Sequence, residues 1–269
     1  MKVAITGANK GIGHAIVLKL LADPKVSQVC FTAQQRSSAT EALKDFNAIS
    51  KGKKVDFLPL EILPPGSVDK FIKAAKEGQF QFDAFLHNAG VFLQGLKQET
   101  LDSQFRINYS FPVELTHALI KYGIVKKGGR FVYSSSGMGN IDEVKGNPEA
   151  VKLLKKYKSP EVTEKVVEQL AKRYQAEVMD PSKGWGDNLY AHSKMFLTLH
   201  VNALAKTYKD YYFFAACPGF VATTMTKGMG ATRTPAEGAE TAAYLTTASL
   251  GPEVNGEFFK DKKLSTIVW

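Results

Sequence analysis

Short apolar runs alternate along the first half of the chain with stretches whose apolar residues recur at helical spacing. The runs cover residues 2–6, 29–33, 54–60, 82–87 and 130–134. They are rich in Val, Ile and Phe, and several end at Gly, Asn, Ser or Pro. Runs of this length without alternation predict strands buried on both faces, as in a parallel sheet. Residues 12–21, 39–50, 68–77 and 101–122 lie between them and predict helices. Strand–helix–strand order of this kind predicts right-handed crossovers and a doubly wound α/β fold with a central parallel sheet.

The rhythm breaks between about residues 140 and 188, a segment rich in Lys, Glu and Leu. It predicts a largely helical insertion, with a helix over 160–178 capped by Ser159 and opened by Pro160. A helix over 190–208, a strand over 211–217, a glycine-rich loop, a helix over 235–249 and a strand region over 258–268 follow. No Pro/Ser-rich linker divides the chain, so residues 1–269 are expected to form a single domain.

Composition narrows the picture. Hydrophobic residues are 44% and charged residues 23% of the chain, ordinary for a globular protein. No apolar run approaches the roughly 18 residues of a membrane span. Cys30 and Cys217 are too far apart to suggest a metal or disulfide framework, which fits a reducing, cytoplasmic setting. The formal net charge is +9, but Lys and Arg are dispersed, which argues against a nucleic-acid partner.

The first strand runs into Thr6-Gly7-Ala8-Asn9-Lys10-Gly11-Ile12-Gly13 and then a helix. Three glycines allow close backbone approach, and a helix N-terminus offers free N–H groups to phosphate. Gly7, Asn9, Lys10, Gly11, Ile12 and Gly13 are therefore candidate dinucleotide contacts. The second strand ends in Thr32-Ala33-Gln34-Gln35-Arg36-Ser37-Ser38, without the acid that would bind ribose hydroxyls. That absence favours NADPH/NADP+, with Arg36, Ser37 and Lys10 meeting a 2′-phosphate; Arg36 as a solvated loop residue is the alternative. Glu61 is a candidate acceptor for the adenine amino group, or a capping residue.

Tyr190 and Lys194 stand one helical turn apart. They share a helix face, and a neighbouring ammonium favours phenolate. Such a tyrosine is a usable acid for carbonyl reduction. Ser136 follows the strand over 130–134, where its hydroxyl can donate to a substrate oxygen. Asn88, Ala89 and Gly90 end another strand with small residues. Asn108 is a polar residue in an apolar-spaced helix and also reads as a structural amide. His192 reads as structural, and Cys217 as a small core residue or a thiol near the site.

The glycine turn, Asn88-Ala89-Gly90, Asn108, Ser136, Tyr190/Lys194 and Pro218-Gly219 occur in the order found in the short-chain dehydrogenase/reductase family. The chain resembles that family over nearly its whole length, and most closely its monomeric carbonyl reductases. The opening octapeptide, the insertion between Ser136 and Tyr190, and Cys217-Pro218-Gly219-Phe220-Val221 carry the closer likeness. The resemblance implies that Tyr190 is the general acid/base and that Lys194 binds the nicotinamide ribose and depresses the Tyr190 pKa. It implies that Ser136 polarises the substrate oxygen and that Asn108 completes a water-borne proton relay. Pro218, Gly219, Val221 and Thr223 would lie along the nicotinamide, and residues 225–234 would form a lid. The chain departs from the pattern at His87 and Gln34.

The implied activity is NADPH-dependent reduction of small-molecule aldehydes and ketones. Two alternatives are an NAD-dependent alcohol dehydrogenase and a non-catalytic NADP(H)-sensing protein. The insertion covers the surface through which many family members associate, so the implied state is a monomer.

Overall fold

Each apolar run of the first half forms a strand. The computed structural model describes residues 1–266. The strands are β1 (Lys2–Ile5), β2 (Gln28–Ala33), β3 (Lys54–Pro59), β4 (Phe82–His87), β5 (Val125–Ser134), β6 (Tyr212–Cys217), β7 (Phe258–Lys260) and β8 (Lys263–Leu264). They form one sheet in the order β3-β2-β1-β4-β5-β6-β7-β8. Among the described residues only the β7–β8 pair is antiparallel. This is the doubly wound Rossmann arrangement, and its strand order reverses between β1 and β4. A cleft beyond the carboxyl ends of the strands is expected there.

The two faces bury different sets of helices. One face packs against α1 (Gly11–Ala22), α2 (Arg36–Ile49) and α10 (Glu240–Thr247). The other packs against α3 (Ser67–Glu77), α4 (Gln98–Phe105), α5 (Phe111–Lys121) and α8 (Leu189–Thr207). Every residue of α8 from Ala191 to Ala205 is buried. A helix buried on all sides needs a layer outside it, and the insertion supplies that layer. Within it lie α6 (Pro148–Lys155) and α7 (Glu164–Glu177). Leu154, Val167, Tyr174 and Trp185 join the same core as α8. His192 is the pin: its Nδ1 meets the Tyr174 hydroxyl at 3.1 Å and its Nε2 the Glu143 carbonyl at 3.1 Å. Burial pushes its pKa down to about 4, so it is a neutral structural residue, as its spacing predicts.

Several boundaries differ from expectation for identifiable reasons. The insertion's long helix begins at Glu164 under a Thr163 cap, not at Pro160. The Lys206 ammonium donates to the carbonyls of Tyr157, Ser159 and Val162 at 2.6, 2.8 and 3.3 Å, which holds that segment as a turn. The helix expected over 101–122 carries a π-turn at Arg106–Ser110 between α4 and α5. The helix expected over 235–249 is divided at Ala239 into α9 (Pro235–Gly238) and α10. The strand region expected over 258–268 is the β7–β8 hairpin, and residues 267 and 268 lie outside the described residues.

The two ends of the insertion cross at a pair of glycines. A Cβ on Gly184 would stand 2.0 Å from the Gly146 carbonyl oxygen, and Gly184 has a φ of +70°. Gly184→Ala therefore combines left-handed strain with a backbone collision. It is expected to cost about 2 kcal/mol or more, read as a lowered midpoint in urea unfolding.

Candidate active site

The carboxyl ends of β1 and β4 are held together by one threonine and one asparagine. Thr6 Oγ1 accepts from the backbone N–H of Asn88 and of Ala89 at 3.0 and 3.1 Å. Asn88 Nδ2 donates back to the carbonyls of Thr6 and Gly7 at 3.0 and 2.9 Å. Ser134, at the end of β5, donates to Asn88 Oδ1 at 3.4 Å. Three strand ends are thus tied at one point. Thr6 carries this clamp although sequence reasoning passed over it; its place immediately before the first glycine was the available signal.

The three glycines of the turn do different work. A Cβ on Gly7 would lie 2.9 Å from Ala89 Cα, and one on Gly13 would lie 2.4 Å from the Gly7 carbonyl oxygen. Those two positions are dictated by the protein's own packing. Gly11 has a φ of +59° and faces Thr223, whose methyl would lie 3.6 Å from an added Cβ. Around this turn opens a cavity of about 510 Å³. Its walls include Gly7, Asn9, Lys10, Gly11, Ile12 and Gly13 from the turn, and Asn88, Ala89 and Gly90 from beyond β4. Glu61 and Thr223 also line it. Unforeseen lining residues are Thr32, Ile62, Leu63, Pro64 and Val91, at loop and strand-end positions, and Ile107 in the π-turn, none with a chemical signature.

Arg36 is not in the wall. It opens α2, and its guanidinium lies over the Phe57 ring at 5.7 Å. Gln34 lines the cavity at the end of β2 in the position where an acid is absent. The exposed Lys10 is the lining cation in the turn. Pro218, Gly219 and Val221 follow β6 outside the cavity wall. Val221 bridges Arg233, whose guanidinium donates to Asp261 at 2.6 Å, so the base of the glycine-rich loop is fixed.

The polar groups of α8 reach the same region. Lys194 is buried, and its Nζ donates to the Ser134 carbonyl at 2.8 Å. It also lies 5.7 Å from the centroid of the Tyr190 ring. A Cβ on Gly90 would come within 3.5 Å of that ammonium and 3.2 Å of Asn108 Oδ1, so the strand end, the amide and the lysine converge. Ser136 lies beside Tyr190, near enough to lower its pKa. Ser135 turns inward to Thr198 at 2.5 Å, as a structural hydroxyl does.

One expectation needs correction, and one site residue has its side chain committed to structure. Burial pushes Tyr190 up to about 12, only partly offset by the nearby Ser136 hydroxyl. The protein groups alone therefore do not depress this pKa, because desolvation is its largest cause. Asn108, in the π-turn, spends its side chain on structure. Its Oδ1 accepts from Val91 N at 2.9 Å, and its Nδ2 donates to Val91 O at 2.8 Å and Ser193 Oγ at 3.1 Å. No amide hydrogen is left for a water relay. Pro112, four residues on, has no N–H, so the Asn108 carbonyl lacks its ordinary helical donor. His87 is neutral, since burial pushes it down to about 3. It bonds Thr116 at 2.9 Å and stacks on Tyr133, so its departure from the family pattern is a core substitution.

A reversed parallel sheet, a glycine turn at its switch point and a Ser–Tyr–Lys group beside it define a dinucleotide-binding oxidoreductase fold. Residues 1–148 match the short chain dehydrogenase family, and the chain belongs to that family. It is 28% identical over 272 residues to carbonyl reductase (NADPH) 1 of Rattus norvegicus, covering 97% of this chain and 96% of that protein. It is likewise 28% identical over 279 residues to carbonyl reductase (NADPH) 3 of Mus musculus, with coverages of 97% and 96%. Among solved structures, salutaridine reductase from Papaver somniferum superposes with a TM-score of 0.79 at 22% identity, covering 96% of this chain and 99% of that one. The NADPH-bound carbonyl reductase from chicken fatty liver gives 0.71 at 19% identity, with coverages of 100% and 94%. Among the described residues no helix is long and apolar enough to cross a membrane.

Two outcomes follow from the clamp and the buried lysine. Thr6→Val keeps the shape but strands the N–H groups of Asn88 and Ala89. It should lower stability by roughly 2 kcal/mol, measurable by thermal or urea unfolding. Burial pushes Lys194 down to about 8 from an ordinary 10.5. The unfolded chain then binds the extra proton between those values, so the penalty of burying the charge is complete below pH 8 and fades as pH rises to 10.5. Without added cofactor, Lys194→Met should be more stable than wild type near neutrality, and the difference should close by about pH 10.5. A pH-independent difference would refute the assignment.

Proposed function

We propose that the chain is an NADPH-dependent carbonyl reductase acting on small-molecule aldehydes and ketones. The observation that carries this reading is the convergence of Ser136 and the Lys194 ammonium on Tyr190, with that ammonium beside Gly90 of the cleft built on the glycine turn. The cleft fits a dinucleotide: Gly11 supplies left-handed backbone, and the N-terminus of α1 points at the turn. Gly7, Asn9, Lys10, Gly11, Ile12 and Gly13 would hold the pyrophosphate. Asn88, Ala89 and Gly90 would flank the nicotinamide half, joined by Pro218, Gly219, Val221 and Thr223. Glu61 would serve the adenine end. When bound, NADPH supplies the hydride that reduces the carbonyl carbon.

The protein's own groups handle the proton. Ser136 donates to the carbonyl oxygen as negative charge grows there, and Tyr190 delivers the proton that makes the alcohol. A tyrosine held at about 12 is fully protonated at neutral pH, which suits an acid. Lys194, charged below about 8, stabilises the phenolate left behind and bonds the nicotinamide ribose. Asn108 acts as a positioning residue through Val91 and Ser193, and its main-chain carbonyl is the atom offered to a relay water. Residues 225–234 form the lid. The missing acid at the end of β2 and the place of Lys10 in the cavity wall favour NADPH; Arg36 reaches a 2′-phosphate only by leaving Phe57. The insertion over α8 fits a monomer, and the cytoplasm is the expected compartment.

Cofactor oxidation over a panel of carbonyls tests the reading. Wild type should prefer NADPH to NADH. Tyr190→Phe should lose about 10²-fold or more in kcat/KM while its NADPH Kd changes only a few-fold. Binding without turnover by wild type would favour a sensor, and near-full activity of Tyr190→Phe would remove the proposed acid.

A further inference from the structure

Away from the cleft, three helices bring three ligand atoms to one point. His117 projects from α5, Glu164 is the first residue of α7, and His200 lies midway along α8. The Nε2 atoms of His117 and His200 lie 2.7 and 3.1 Å from the same carboxylate oxygen, Glu164 Oε2. The ligand atoms of the three residues are all within 4.8 Å of one another. His200 follows Tyr190 by ten residues on α8, a rise of about 15 Å, so the cluster stands apart from the catalytic groups.

We infer that His117, Glu164 and His200 form a binding site for a divalent transition metal of the zinc type, which fastens the insertion to α5 and α8. Two imidazoles and one carboxylate are a borderline donor set that suits Zn2+ rather than Mg2+ or Ca2+, which take oxygen alone. With metal–ligand bonds of about 2.0–2.2 Å, tetrahedral neighbours lie about 3.4 Å apart. The present separations reach that spacing with shifts of less than about 1 Å. The supporting contacts also suit a metal site. The other ring nitrogen of His200, Nδ1, meets the Tyr109 hydroxyl at 3.0 Å, the kind of contact that fixes a ligating ring. Thr207 lies near enough to the Glu164 carboxylate to lower its pKa. The side chain of His200 is 1% exposed, that of Glu164 14% and that of His117 36%. The ion thus has an entry path on the His117 side, where water completes the fourth position.

The consequence is structural. Glu164 belongs to the insertion, while His117 and His200 belong to the helices it covers, so a bound ion adds a link between the two layers. A hydrogen-bonded triad would make a weaker version of the same link without metal, and the experiment separates the two. Chelator-treated full-length protein is titrated with ZnCl2, and in parallel with CoCl2. The expected result is one saturable equivalent, the intense visible bands of four-coordinate Co2+, and a Tm raised by roughly 5–10 °C at a hundredfold excess over Kd. Both the bands and the Tm shift should be lost in Glu164→Gln and in His117→Gln; the latter changes a partly exposed residue and keeps the fold testable. Absence of saturable binding, a six-coordinate Co2+ spectrum, or binding undiminished in the variants would overturn the site and leave only the hydrogen-bonded triad.

Discussion

The carboxyl ends of β1 and β4 come so close that a single Cβ on Gly7 would collide with Ala89. Parallel strands place all their carboxyl ends on one edge, and the reversal of strand order opens a crevice there. That crevice has a defined floor only if the two central strands end in register. Thr6 and Asn88 impose this by exchanging hydrogen bonds across the gap, and Ser134 extends the link to β5. The glycine turn, the Asn-Ala-Gly segment and the serine-bearing strand therefore face one space because their strand ends are bonded to one another.

The second determinant is the burial of α8. A lysine in the middle of a fully buried helix must find a partner, and Lys194 finds the carbonyl at the end of β5. Its ammonium thereby comes to rest against Tyr190 with little freedom to move. The same burial raises the tyrosine pKa and lowers that of the lysine, so desolvation dominates both. Proximity of opposite chemical types does not by itself make an activated pair: where the charge is spent, and how much water is excluded, decides the direction of each shift.

The insertion explains how α8 tolerates its composition. Its outer side would be an exposed apolar surface without α6, α7 and the buried Trp185. His192, inside the Tyr-x-x-x-Lys segment, points to the insertion while Lys194 points to the end of β5. One helix thus carries the proposed acid group and the attachment of its cover. The Glu164 cluster lies on the same boundary, and it strengthens the seam between family core and insertion whether or not a metal occupies it.

The sequence by itself determined what depends on near neighbours. Apolar run length marked the strands, helical spacing marked the helices, and the insertion declared itself by interrupting the rhythm. The glycine turn and the Tyr190–Lys194 spacing were legible because one turn of backbone fixes their geometry. Tertiary structure decided whatever depends on residues distant in the chain. Ser159 and Pro160 carry helix-start signals, but Lys206 captures the neighbouring carbonyls and delays the helix. Asn108 is drawn into bonds with Val91 and Ser193, 17 and 85 residues away. Arg36 lies on Phe57 rather than in the cavity. His117 and His200 meet Glu164 across 47 and 36 residues. Hydrogen-bonding capacity is limited and directional, so a side chain's role is settled by which partner the fold brings within about 3 Å, and spacing along the chain carries no record of that distance.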